Sequence, residues 1–175
     1  MRKTGNPLVW IVRFRHRRGY GVHSPFAYHF LRDVVYETAP YYSYTELDQN
    51  LRWWQRLRIR RGLHLLLRIA NYVQPSMLLL PQGTSLEAVY MKEGCPKALL
   101  GESAISQQCT MCFLKAPDDK VLSALDEDSV LVLDNLQQYR QWFRSLPAIV
   151  RFDLYDLGIA FFNPKYNRQY YIVNF

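Results

Sequence analysis

This sequence contains few cysteines, no long apolar run and few acidic residues in its N-terminal part. Three cysteines are too few for a disulfide framework. No stretch approaches the ~20 consecutive apolar residues of a membrane-spanning helix. The apolar segment 7–12 is followed by Arg13 and lacks the cleavage site of a signal peptide. We therefore expect a cytoplasmic protein with reduced thiols and no membrane span.

Two of the cysteines form a Cys109-x-x-Cys112 pair, a spacing found in zinc and redox sites. The segment 109–114 predicts a strand, in which residues three apart point to opposite faces of the sheet. No second Cys or His pair completes a tetrahedral site. We therefore predict that Cys95, Cys109 and Cys112 are buried structural thiols.

Acidic residues are scarce at the start of the chain, where residues 1–70 contain 13 Lys and Arg against 4 Asp and Glu. The whole chain carries a net charge of +7, so the remainder is slightly acidic. Most of the early cations are arginines, which favour bidentate contacts with phosphate or carboxylate. The charge indicates either a surface for an anionic partner such as RNA or the solvated face of amphipathic helices. An RNA-binding surface would use Arg13, Arg15, Arg17, Arg18, Arg58, Arg60 and Arg61.

The pattern of the chain changes near residue 75, although its 175 residues and 49% hydrophobic content suit a single domain. Residues 1–75 predict an N-terminal helical cap region, with a short basic helix at 6–18. A second helix starts at Ser24-Pro25, where serine is the N-cap and proline takes the first helical position. A third helix is predicted over 45–72, with an interruption near Gly62.

Residues 76–175 alternate short apolar runs with helical segments, which predicts an α/β core with a mostly parallel sheet covered on both faces. The predicted strands are 77–80, 98–101, 110–114, 130–133, 149–154, 157–162 and 170–173, and the predicted helices are 85–93, 119–125 and 139–146. The C-terminal strands are expected to run antiparallel. The segment 102–109 is shorter than the crossover of about a dozen residues that parallel strands need, so the core is expected to lack one strand–helix unit.

Two motifs at opposite ends of the chain resemble one protein family. They are Gly21–Phe26 (GVHSPF) and the C-terminal run Phe152–Phe162 (FDLYDLGIAFF), which is followed by Tyr171–Phe175 (YIVNF). Together they resemble a bacterial group of class I S-adenosylmethionine (SAM)-dependent methyltransferases of the catechol O-methyltransferase type. The resemblance implies a Rossmann-like sheet and in-line methyl transfer from SAM to an oxygen or nitrogen acceptor.

The segment Leu78–Glu87 predicts a strand, a glycine turn and a helix start, which is where a nucleotide-like cofactor binds in an α/β sheet. It resembles the family's cofactor loop, which implies that Gly83, Thr84 and Ser85 hold SAM. A carboxylate at the end of the next strand would accept both ribose hydroxyls. Glu102 has this position if the strand is 98–101, whereas Glu93 has it if the segment 89–96 is the strand.

Asp134 and Asn135 follow a buried strand and resemble the pair that helps to hold Mg²⁺ in the family. Lys115 stands where the resemblance implies a third, aspartate ligand. Its ammonium would repel the ion, so we predict a Lys115–Asp134 salt bridge and no metal. The resemblance also makes His23 a candidate wall or hydrogen-bond donor of the cofactor cleft. The catalytic candidates are therefore Asp134, Asn135 and His23.

Departures from the family pattern cast doubt on catalysis. Pro81-Gln82 replace the acidic residue before the loop, Glu87 replaces a glycine in it, and Lys115 replaces a ligand. The sequence therefore predicts a degenerate methyltransferase-like protein. The alternative is an inactive binding or scaffold module that uses the arginine-rich N-terminal helices.

Overall fold

The computed structural model describes residues 22–81, 85–101 and 110–175. The predicted helix at 6–18 and the candidate residues Gly83, Thr84, Glu102 and Cys109 lie outside these ranges. Within the described ranges the chain forms an α/β structure around one seven-stranded sheet. The prediction of an α/β core is therefore confirmed.

The sheet has the strand order β2-β1-β3-β4-β6-β5-β7. Its strands are β1 (Met77–Leu79), β2 (Leu99–Gly101), β3 (Thr110–Leu114), β4 (Val130–Leu133), β5 (Val150–Asp153), β6 (Gly158–Phe161) and β7 (Gln169–Ile172). Strand β6 is antiparallel to both of its neighbours, and the other pairings are parallel. The expectation of antiparallel C-terminal strands is thus correct for β6 and wrong for β7, which pairs parallel with β5.

Seven helices accompany the sheet in the described ranges. They are α1 (Pro25–Phe30, continued by a π-helical turn, Leu31–Val35), α2 (Tyr42–Gln49), α3 (Trp53–Arg58), α4 (Arg60–Val73), α5 (Ser85–Gly94), α6 (Asp119–Leu122) and α7 (Leu136–Ser145). The helix predicted over 45–72 with one interruption near Gly62 is three helices, because the chain leaves helical structure after Gln49 and again at Ile59. Gly62 lies buried inside α4. A helical glycine costs only about 1 kcal/mol, and the apolar stripe of α4 outweighs that cost.

Side chains alternate between the two faces of the sheet and form two cores. Leu78, Phe113 and Val132 face the larger core, which α1, α4 and α5 cover. Their neighbours Leu79 and Cys112 face the smaller core under α6 and α7. Helices therefore cover both faces, as the continuous apolar strands predict.

A buried arginine ties the π-helical turn to the rest of the helical region. Arg68 of α4 is only 6% exposed. Its Nε donates to the carbonyl oxygen of Val34 at 2.6 Å, and one of its terminal nitrogens donates to that of Val35 at 3.3 Å. Its other terminal nitrogen donates to the hydroxyl of Tyr44 at 3.2 Å. Arg68 thus satisfies carbonyl groups at the end of α1 and joins α1, α2 and α4.

Candidate functional site

The strand order reverses between β1 and β3. From β1 the chain passes through α5 to β2 on one side, and β3 then pairs with the other side of β1. In open α/β sheets, ligands bind outside the carboxyl ends of the strands at such a switch point. The carboxyl edge of β1, β2 and β3 is therefore the candidate site.

The first connection at this edge leads from a strand to a helix, as predicted. Strand β1 ends at Leu79, the chain continues through Leu80 and Pro81, and α5 begins at Ser85. The amino terminus of α5 therefore lies at this carboxyl edge of the sheet, called the switch-point edge, and helix amino termini favour anions. Glu87 is in the first turn of α5.

Strand β2 ends beside the loop that follows β1. Leu79 is paired with Gly101, and the backbone N–H of Leu80 donates to the carbonyl oxygen of Gly101 at 3.0 Å. Glu102 is the next residue in the sequence. Glu93 is exposed on helix α5, so the alternative register that places it at a strand end is wrong. Its segment, 89–94, continues the helix that began at Ser85.

Beyond the switch point, Lys115 and Asp134 follow two adjacent parallel strands. Leu114 of β3 is paired with Leu133 of β4, and the backbone N–H of Asp134 donates to the carbonyl oxygen of Leu114 at 2.7 Å. Asp134 is 2% exposed, and its Oδ1 accepts a hydrogen bond from the backbone N–H of Asn135 at 2.9 Å. The salt bridge between Lys115 and Asp134 stays a prediction, and the strand register places the two residues at the same edge.

The residues at this edge do not fit Mg²⁺. The ion needs several oxygen ligands around one point, whereas a lysine follows β3 at the position beside Asp134. In the part of the chain that the structure describes, no group of three or more His, Cys, Asp or Glu residues is placed to hold a metal ion.

Asn135 and Tyr155 mark the two loops at the edge of β4, β5 and β6 by their unusual backbone. Asn135 has a φ of 54° and Tyr155 a φ of 78°, both in the left-handed region. The loops are joined, because the backbone N–H of Leu136 donates to the carbonyl oxygen of Asp156 at 3.0 Å. The Gln137 side chain also donates to the Asp156 carboxylate. Backbone strain of this kind persists where surrounding contacts hold it in place.

Asp153 is a buried acid of this edge that sequence reasoning missed. It ends β5, is 1% exposed, and accepts hydrogen bonds from Arg140 Nε at 2.9 Å and the backbone N–H of Tyr155 at 2.9 Å. The Tyr170 hydroxyl donates to it at 2.8 Å, and burial raises the pKa of that phenol, which keeps it protonated. The only sequence signal is an aspartate at the end of a mostly apolar segment, 148–152, which contains Arg151. Its partners make Asp153 a structural link between β5, β7 and α7.

His23 lies away from Asp134 and Asn135. It is exposed and lies three residues before Phe26. The ring of Phe26 stacks on that of Tyr166, with 3.7 Å between ring centroids, and its centroid lies 5.0 Å from that of Phe161. Phe161 is paired with Val130, at the start of β4. Asp134 follows the other end of that strand. The structure therefore does not bring His23 together with the other catalytic candidates.

The described cysteines are buried, as predicted. Cys112 is fully buried in β3, and burial raises the pKa of its thiol, so the reactive thiolate is disfavoured. Cys95 is 2% exposed, and its thiol donates to the carbonyl oxygen of Pro75 at 3.4 Å.

Comparison of the chain with protein-family models, with curated proteins and with solved structures found no match. Among the described residues, no helix is both long enough and apolar enough to cross a membrane.

Proposed function

We propose that this chain is a degenerate SAM-dependent methyltransferase-like protein that binds SAM at the switch-point edge without Mg²⁺. One observation carries the proposal. The loop after β1 leads into the amino terminus of α5, and it leaves the sheet beside the end of β2. This arrangement suits a cofactor with an anionic group and a ribose.

Each part of SAM has a candidate partner at this edge. The backbone N–H groups around Gly83–Ser85 would face the carboxylate of the methionine moiety. Glu102, which directly follows β2, would accept hydrogen bonds from the two ribose hydroxyls. Asp134 and Asn135 lie beyond the switch point and would orient an oxygen or nitrogen acceptor.

Two residues of this edge count against metal-assisted methyl transfer. Glu87 adds a negative charge in the first turn of α5, where the SAM carboxylate would approach. Lys115 occupies the position beside Asp134 where a metal ligand is expected from the resemblance. These two residues favour a protein that binds the cofactor but does not perform metal-assisted catalysis. The alternative hypothesis is a catalytically inactive binding or scaffold module that uses the arginine-rich N-terminal helices, for RNA or another anionic partner.

We expect isothermal titration to detect SAM and S-adenosylhomocysteine with micromolar affinity, unchanged by Mg²⁺. Glu102→Ala should weaken binding at least about tenfold, since it removes a charged hydrogen-bond acceptor worth about 1.5–3 kcal/mol. The matched control is Glu93→Ala, which removes the exposed carboxylate of the alternative register. It should bind as the wild type does. If no heat is detected at millimolar ligand, the proposed cofactor site is wrong. If Glu102→Ala and Glu93→Ala lose affinity for SAM equally, Glu102 does not bind the ribose.

The double variant Glu87→Gly with Lys115→Asp should bind SAM about fivefold to tenfold more tightly, because a like charge leaves the helix terminus. It should also gain Mg²⁺-dependent binding, since an aspartate would then stand beside Asp134. Titration with SAM in the presence and absence of Mg²⁺ measures both effects. An unchanged affinity together with no response to Mg²⁺ would show that these positions are wrongly assigned.

A further inference from the structure

Helix α3 (Trp53–Arg58) contains no buried residue. Its largest apolar side chains point to solvent: Trp53 is 75% exposed, Leu57 is 73% exposed and Trp54 is 41% exposed. Tryptophan and leucine are rarely left in water at adjacent positions of a folded surface. Together, Trp53, Trp54 and Leu57 form the α3 apolar face.

The orientation of α3 is the reverse of that of an ordinary surface helix. With 3.6 residues per turn, Trp53 and Leu57 lie one turn apart on the same side, and Trp54 lies beside them. The polar residue Gln55 is half-buried, and its side chain accepts a hydrogen bond from the backbone N–H of Arg52 at 2.8 Å, which caps the start of α3. An amphipathic helix normally buries its apolar stripe, whereas α3 presents this stripe outward.

Contacts with the neighbouring helices hold α3 in this orientation. Arg56 Nε donates to the backbone carbonyl oxygen of Asp48 at 3.0 Å. The carboxylate of Asp48 accepts hydrogen bonds from His64 Nε2 at 2.9 Å and the Tyr90 hydroxyl at 2.8 Å. The His64 ring stacks on the Tyr44 ring, with 3.7 Å between the ring centroids. The end of α2 is therefore tied to α4 and α5, and α3 is anchored to the end of α2.

The surroundings of the α3 apolar face are basic. Arg52, Arg58 and Arg60 are exposed at or next to α3. Residues 41–61 contain only two acids, Glu46 and Asp48, and Asp48 is already hydrogen-bonded to His64 and Tyr90. An apolar face of Trp and Leu with arginines around it is typical of helices that lie in the interface of an anionic membrane.

We propose that α3 docks on anionic phospholipid bilayers, with Trp53, Trp54 and Leu57 inserted between the headgroups and with the surrounding arginines on lipid phosphates. Charge complementarity and the outward apolar face both support this partner. Single-stranded RNA would also attract the arginines and stack on tryptophan. However, Leu57 has no aromatic ring for a base, whereas a bilayer takes up all three side chains. The proposed surface lies outside the cofactor site and does not depend on it.

The test is co-sedimentation of the full chain with vesicles of phosphatidylglycerol and phosphatidylcholine in equal parts, and with vesicles of phosphatidylcholine alone. We expect binding to the anionic vesicles that weakens as salt is raised, and binding to the neutral vesicles at least about tenfold weaker. Trp53→Ser with Leu57→Ser should lower the affinity for anionic vesicles at least about tenfold, because apolar side chains are lost from the insertion.

The matched control is Leu99→Ser with Leu100→Ser, since these leucines on β2 are also exposed, at 68% and 54%. This control variant should bind vesicles as the wild type does. Far-ultraviolet circular dichroism should show that both variants are folded, because none of the four side chains is buried. Any of three results would overturn the proposal: no binding of the wild type to anionic vesicles, equal binding of the α3 variant, or displacement of the protein from vesicles by a single-stranded RNA oligonucleotide at lower concentration than a matched polyanion.

Discussion

Replacing Gly94 with alanine is expected to lower the free energy of unfolding by about 3 kcal/mol. A Cβ atom at this position would lie 2.2 Å from the carbonyl oxygen of Leu67 and 3.0 Å from the Cβ of Ala70. The nearest obstacle is a backbone atom of α4, so a side-chain rotation cannot relieve the overlap. Helices α4 and α5 would have to move apart, and both contribute buried residues to the larger core.

Urea unfolding followed by circular dichroism measures this loss. The matched control is Glu93→Ala, which changes the preceding residue of the same helix at an exposed position. It should leave the unfolding midpoint almost unchanged, because surface substitutions usually alter stability by less than about 0.5 kcal/mol. Wild-type stability of Gly94→Ala would mean that α4 and α5 are not in close contact at this position.

Replacing Asp153 with alanine is expected to cost about 3 kcal/mol. The carboxylate is buried and accepts hydrogen bonds from Arg140, Tyr170 and the backbone N–H of Tyr155. Without it these donors lose their acceptor in a buried environment, and the left-handed backbone of Tyr155 loses a contact that holds it. Asp153→Asn should cost less, because one side-chain oxygen remains as an acceptor.

The control for this prediction is Asp33→Ala, which removes an exposed carboxylate paired with Arg32. Solvent screens such a pair, so its loss should not change the unfolding midpoint measurably. If Asp153→Ala were as harmless as Asp33→Ala, the buried network at the β4–β6 edge would not contribute to stability.

The two loops at that edge also show why candidate residues were only partly predictable. Asp134 directly follows a continuous apolar run, whereas Asp153 ends a strand that contains Arg151. The chemical role of each depends on neighbours far away in the sequence: Lys115 follows the strand next to Asp134, whereas Arg140 and Tyr170 surround Asp153. No local pattern distinguishes a carboxylate at a candidate site from one in a satisfied structural network.

Most elements of the core were predictable from short apolar runs. Strands β3 and β4 have the predicted bounds, 110–114 and 130–133, because each is a buried apolar run next to turn residues. The helical region was predicted less well. Its apolar residues predict a helix over 45–72 with one interruption near Gly62, but the chain forms α2, α3 and α4 there. Packing around Leu51, which is only 5% exposed, accompanies the first of the two breaks.

The sequence by itself determined the α/β class, the start of α1 at Ser24-Pro25 and the position of most strands, because each of these depends on a few consecutive residues. The tertiary structure decided the insertion of β6 between β4 and β5, the close approach at Gly94 and the burial of Arg68. It also decided the outward face of α3. These features arise from contacts between residues distant in sequence, whose free energies override local propensity and leave no periodic trace in the chain.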